Sequence, residues 1–253
     1  MQHELIQTFR HPISDISYQV IISIPTDRAP KEGFPVLYVL DGNAYGTLCR
    51  EIVKIQSRRA EKTGVSPMII VSIGYAVNDI FPSLRVYDFT PASAAASLPP
   101  KPDGASWPTH GGAKEFLDFL ETIVQPFVYQ SAPVNPHNQI LFGHSLGGLF
   151  VLNTLFERPN LFRNYICFSP SIWWNDKEIL NKERADFLMH DRNLFIAAER
   201  TEKMDMHENA FLLFQRLQVN NPRAVAFRSP TGENHMSIVP TVLSDALRYL
   251  FSR

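Results

Sequence analysis

Three side chains of this sequence could together attack a carbonyl group: a serine on a tight glycine turn, a histidine near the end of the chain and a carboxylate between them. The serine lies in Gly143-His144-Ser145-Leu146-Gly147, which has the G-x-S-x-G pattern of a nucleophile elbow. A sharp strand-to-helix turn strains the serine, and the flanking glycines remove side chains that would collide. The hydroxyl then projects at a helix N-terminus, where backbone N–H groups and the helix dipole favour a developing oxyanion. Five residues alone make a weak motif, but here the context agrees on both sides. The apolar run Ile140-Leu141-Phe142 precedes it and the apolar helical pattern Leu149–Leu155 follows.

A serine needs a base to take its proton, and elbow enzymes run serine, acid, histidine along the chain. Of eight histidines only His190, His207 and His235 follow Ser145. His235 ends Pro230-Thr231-Gly232-Glu233-Asn234-His235, between the last strand candidate and the final helix, and is the expected base. His190 and His207 stand in charged helical stretches and read as solvated. The acid is expected after the strand candidate Leu194–Ala198, where Glu199, Glu202 and Asp205 all qualify. Its task is to fix the imidazole tautomer and stabilise the imidazolium.

These residues need a frame, and the hydrophobic pattern supplies one. Ser17–Ile24 alternates as a half-buried strand. Pro35–Leu40, Met68–Ile73, Gln139–Phe142, Tyr165–Phe168, Leu194–Ala198 and Ala224–Phe227 are continuous apolar runs, as in strands buried on both faces. Helical spacing marks Lys114–Val128, Leu146–Phe156, Met206–Leu217 and Ile238–Phe251. The alternation predicts an α/β protein with a mostly parallel central sheet flanked by helices. A length of 253 residues suits a single domain, 1–253, without a large separate cap. Between about 76 and 112 the pattern lapses into a Pro-rich excursion, a length of loop that is usually functional.

Composition narrows the partners. Apolar residues make up 45% and charged residues 19%, with a formal net charge of −1 and a pI near 6.7. No basic face for nucleic acid or a membrane surface is expected, and no apolar run reaches bilayer length. The first residues lack a basic and apolar leader pattern, which makes the cytoplasm the default location. Cys49, in a helical stretch, and Cys167, in a strand, read as buried small hydrophobes. No clustered ligand spacing suggests zinc and no phosphate loop is present, so neither a metal nor an organic cofactor is expected.

The residues also resemble a known family, the "putative esterase" family of α/β-hydrolases, which includes siderophore esterases and S-formylglutathione hydrolase. The likeness runs from about Ile6 to the C-terminus. It is carried by Val36-Leu37-Tyr38-Val39-Leu40-Asp41-Gly42-Asn43-Ala44-Tyr45, Tyr87-Asp88-Phe89-Thr90-Pro91, Gly111-Gly112, Gly143–Leu149, Ser169-Pro170-Ser171-Ile172-Trp173-Trp174 and Glu233-Asn234-His235. The Trp-Trp and Asp-Phe-Thr-Pro segments point to the siderophore-esterase-like group. The resemblance implies the α/β-hydrolase fold and an oxyanion hole formed by the backbone N–H groups of Leu146 and Asn43. Counting back from Met206 and Ala210 puts Glu202 in the acid's place. The chain departs from the family's Gly-x-x-Glu turn, which keeps Glu199 in play, and a Ser–His pair without an acid also occurs. Trp173 and Trp174 are either core or an aromatic wall for the substrate, and Arg85 or Arg200 could favour an anionic ligand. The expected reaction is hydrolysis of a small-molecule ester through an acyl-enzyme, with a siderophore trilactone as one substrate. The alternatives are a general small-ester or thioester hydrolase, an acyltransferase, a peptidase and a catalytically silent binding module.

Overall fold

The computed structural model describes residues 3–94, 97–101, 104–182, 191–201 and 204–251. One eight-stranded sheet organises them. Its strands are β1 (His3–Phe9), β2 (Tyr18–Ile24), β3 (Phe34–Val39), β4 (Ile69–Tyr75), β5 (Val134–His144), β6 (Asn164–Phe168), β7 (Asn193–Ala197) and β8 (Val225–Arg228). The spatial order is β1-β2-β4-β3-β5-β6-β7-β8. β1 and β2 are antiparallel to their neighbours and β3 to β8 run parallel. All seven strands read from the sequence are present, and the fold is the expected α/β-hydrolase architecture. β1 was not anticipated. Its residues are mostly exposed, and an edge strand held mainly by backbone pairing carries little hydrophobic signature.

The continuous apolar runs are explained by helices on both faces. Val36, Tyr38 and Leu40 point to the face covered by the elbow helix Leu146–Glu157 and by Phe116, Leu120 and Val124. Leu37 and Val39 point to the other, covered by the helices Gly42–Ser57 and Ile238–Phe251. Cys49 and Cys167 are both buried and unbonded to each other. The helical stretch read as Lys114–Val128 is a composite. An α-helix at Ala113–Phe119 widens into a π-turn at Leu120–Val124 and resumes at Gln125–Ser131. Pro126 lies at the junction. It offers no N–H to the carbonyl four residues back, and its ring would clash there, so the turn opens.

The excursion is anchored by a buried carboxylate. Asp88, on the short helix Leu84–Phe89, is fully buried. It accepts from the Tyr75 hydroxyl at 2.6 Å, the Tyr18 hydroxyl at 2.7 Å and His11 Nε2 at 3.2 Å. Ile13 N–H donates to His11 Nδ1, which places the ring proton on Nε2. Burial, then the neighbouring Asp88 charge, pushes the Tyr18 and Tyr75 hydroxyls far up, so both remain donors. Among the described residues no helix is long and apolar enough to cross a membrane.

Candidate active site

β3 and β5 are neighbours in the sheet, so the turns at their carboxyl ends meet. Ser145 follows β5 with φ 60° and ψ −119°, a conformation that L-residues rarely adopt. Tertiary bonds hold it there. Ser145 N–H donates to Phe168 O at 3.0 Å, and Ser145 O accepts from Leu149 and Ser171 N–H. Gly143 is required because a Cβ there would run into the backbone of Gly147. Leu146 opens the elbow helix directly after Ser145, which puts its N–H beside that serine.

The turn after β3 is clamped on two sides. Asp41 takes a left-handed conformation, and Ala44 and Tyr45 N–H return to its carbonyl. Its carboxylate, 1% exposed, is gripped by Arg85 Nε at 2.7 Å and Nη2 at 2.8 Å. The Asn43 side chain donates to Tyr75 O and Val77 O and accepts from Tyr75 N–H. Gly74 makes room for it, since a Cβ there would lie 2.9 Å from Asn43 N. The backbone of Asn43 is thereby fixed beside the elbow, where Asp41 Oδ2 would lie 3.4 Å from a Cβ on Gly147.

His235 enters from the β8 side. An Asx turn shapes its loop, with Met236 N–H donating to Asn234 Oδ1 and Ile238 N–H to Asn234 O. His235 Nδ1 pairs with Glu199 Oε1 at 2.9 Å. Glu199 directly follows the β7 end and is completely buried. Its other oxygen accepts from Ser169 Oγ, whose own backbone is left-handed and bonded to Ala197 O. Burial pushes the Glu199 carboxyl up, but the hydrogen bonds from His235 and Ser169 outweigh it and hold the pKa below the usual range. Ser171 Oγ lies 3.4 Å from Ser145 Oγ. Behind His235 stands His144, its ring centroid 4.4 Å away and its Nδ1 at 3.0 Å from the Tyr45 hydroxyl. Burial, and then the charges of His235 and Arg85, drive the His144 pKa well down.

The sequence reading and the geometry part at several residues. Of the three acid candidates, Glu199 is the one on His235. Glu202 lies outside the described residues, and Asp205 pairs with Lys177. The Trp pair divides. Trp174 is 1% exposed, with Nε1 bonded to Pro91 O, and is core. Trp173 is half-buried and lines a cavity. Arg85 is committed to Asp41 and to the rings of Phe81 and Phe89, so it holds the turn instead of facing a ligand. Arg200 bonds Ser229. His207 is packed on Phe211 and bonded to Ser229, unlike the solvated residue expected, and His190 lies outside the described residues. The roles of Ser169, Asp88 and His144 were not legible. Each sat inside a recognised motif, yet their partners lie as far as 30, 77 and 99 positions away.

An eight-stranded sheet with a strained serine at the end of β5 and a His–Glu pair beyond β7 and β8 defines an α/β-hydrolase. The family model described as "Putative esterase" matches residues 14–207, and the chain belongs to that esterase family. Ferri-bacillibactin esterase BesA of Bacillus subtilis is 41% identical over 244 residues, 92% of this chain and 84% of that protein. A siderophore enterobactin esterase of Emericella nidulans is 40% identical over 67% of this chain and 56% of its own length. Among solved structures, the BES protein from Bacillus cereus superposes with a TM-score of 0.89 at 42% identity, covering 98% of this chain and 95% of that one.

Proposed function

We propose that the chain is a serine esterase that cleaves siderophore trilactones through an acyl-enzyme. The observation that carries the reading is the strained Ser145 at the same sheet edge as the His235–Glu199 pair. With Nδ1–H held by Glu199, Nε2 of His235 is the nitrogen that accepts the Ser145 proton. Ser145 Oγ attacks the ester carbonyl, and the Leu146 and Asn43 N–H groups receive the oxyanion. His235 then protonates the departing alkoxide oxygen as the tetrahedral centre collapses to an acyl-serine. In the second half, water loses a proton to His235, attacks the acyl carbon and releases the acid. Ser145 recovers its proton from His235.

The substrate class rests on the relatives, named as a ferri-bacillibactin esterase and a siderophore enterobactin esterase, and on the half-buried indole of Trp173, two residues after Ser171, whose Oγ lies 3.4 Å from Ser145 Oγ. Ser145→Ala and His235→Ala should each lower hydrolysis of p-nitrophenyl acetate by roughly 10³-fold or more, and the double variant little further, because triad members act as a unit. A fluorophosphonate probe should label the wild type at Ser145 and fail on the alanine variant. Near-wild-type turnover by Ser145→Ala would overturn the mechanism. An aryl trilactone left intact beside brisk hydrolysis of p-nitrophenyl butyrate would overturn the substrate class alone.

A further inference from the structure

We propose that a second cleft on the catalytic edge binds a non-reacting hydroxyaryl arm of a multi-armed ester; this rests on the trilactone reading. A cavity of about 450 Å³ lies between three segments, with Leu98, Trp173, Asp176, Lys177, Met204 and Asp205 in its walls. Trp173 to Lys177 follow β6, and Met204 and Asp205 follow β7. Both segments leave the carboxyl ends of parallel strands, the edge that also carries Ser145 and that binds ligands in open α/β sheets. Leu98 belongs to the Pro-rich excursion. Neither Ser145 nor His235 lines the cavity, so what it holds is not the bond being broken.

Backbone strain singles out the same place. Among the described residues, eight other than glycine have positive φ: Asp41, Ser145, Ser169, Asn175, Asp176, Lys177, Met204 and Asp205. The first three shape the catalytic turns. The other five all stand in or next to the walls of this cleft, and such conformations persist only where the surroundings impose them, which is typical of functional sites. Lys177 reaches Asp205 across the gap at 3.4 Å. Ser93 Oγ bonds Asn175 Oδ1 at 2.8 Å, which moors the excursion to the cleft, and within the excursion Trp107 Nε1 bonds Pro99 O at 2.8 Å.

The lining selects the ligand. Trp173 backs onto Trp107 at 5.6 Å between centroids, and a flat aromatic arm fits against such a ring. Leu98 and Met204 add apolar surface. Asp176 has no ion-pair or hydrogen-bond partner among the described residues, so its carboxylate can accept from ring hydroxyls. Lys177 is engaged by Asp205, which leaves Asp176 as the unpaired charge of the wall, so an arm whose oxygens are anionic would meet a like charge. The cleft therefore takes the protonated, metal-free arm. Binding energy from such a remote group can be used to position the reacting ester.

The test compares wild type, Trp173→Ala and Asp176→Asn on a metal-free dihydroxybenzoyl trilactone, its ferric complex and p-nitrophenyl butyrate. Both variants should lower the ratio of kcat/KM for the metal-free trilactone over the butyrate at least tenfold. Asp176→Asn should lower it less for the ferric complex. In parallel, N-(2,3-dihydroxybenzoyl)glycine amide is titrated into Ser145→Ala protein by ligand-observed NMR, and saturable binding should vanish on adding Trp173→Ala. Unchanged ratios with a wild type that cleaves the trilactone would overturn the subsite and leave the trilactone reading standing. If wild type cleaves no trilactone, that reading fails, and loss of probe binding through Trp173 still decides the cleft. Absence of saturable probe binding to Ser145→Ala protein overturns it.

Discussion

At the scale of single residues, His235, the proposed base, is held by a carboxylate that is itself held. Ser169 donates to the Glu199 oxygen that His235 does not use, so both oxygens of the buried acid are oriented. Glu199→Gln would leave the geometry near native but present an amide to Nδ1 and disfavour the working tautomer. Its kcat on p-nitrophenyl acetate should fall by roughly 10²-fold or more. Ser169→Ala removes one hydrogen bond to a charged group, worth about 1.5–3 kcal/mol, and should cost on the order of tenfold. Stopped-assay kcat values for the two variants check the ranking. A second residue-scale consequence concerns pH. His144 is kept neutral in the folded protein, well below its ordinary value of 6.5, whereas in the unfolded chain it protonates near that value. The unfolded state therefore takes up the extra proton first, and stability declines as pH falls below about 6.5. The Tm of wild type should drop between pH 7 and pH 5 more steeply than that of His144→Gln. Equal slopes would remove His144 from the account. Glu199 acts in a separate, more acidic window. Its stabilisation is complete above its unfolded value and is lost as pH falls through its lower folded one.

At the scale of elements, the turn after β3, which carries the proposed oxyanion donor Asn43, depends on a helix from a different part of the chain. The short helix Leu84–Phe89 carries Arg85 toward Asp41 and Asp88 toward Tyr18, Tyr75 and His11. It thus pins the N-terminal segment, β2 and β4 on one side and the end of β3 on the other. Arg85 is 11% and Asp41 1% exposed along their side chains, so removing one partner strands a buried charge. Arg85→Ala should destabilise by about 3–5 kcal/mol, measured by denaturant unfolding. Adding Asp41→Asn should cost little more, because the double variant no longer buries an unpaired carboxylate. Fully additive losses would show that the two do not act as a pair.

At the scale of the whole molecule, the sheet is sealed on both faces and its two thiols report on that seal. Cys49 lies on the inward side of the Gly42–Ser57 helix on one face and Cys167, in β6, points to the other, each with no exposed surface. Burial raises both thiol pKa values, which suppresses the reactive thiolate. Labelling by a maleimide reagent should therefore be slow for both and should rise together with denaturant as the core opens. Fast labelling of one alone would reveal a local opening on that face of the sheet.

What the sequence by itself determined is what local pattern can carry. The elbow, the strands ending in turns and the position of His235 before the last helix follow from spacing that neighbouring residues impose on one another. The tertiary structure decided matters that depend on distance in space. Counting along the chain favoured Glu202, whereas Glu199 meets His235 because the end of β7 delivers it there, next to Ser169 at the end of β6. The same holds for Arg85, whose charge reads as a ligand contact until Asp41, 44 positions away, is seen to occupy it. Trp173 and Trp174 are adjacent in sequence and identical in type. Only the packing of Trp107 and Pro91 against them sends one to a cleft wall and the other into the core. A residue's type limits the chemistry it can perform, but its partners, which the fold chooses from anywhere in the chain, settle which chemistry it does perform.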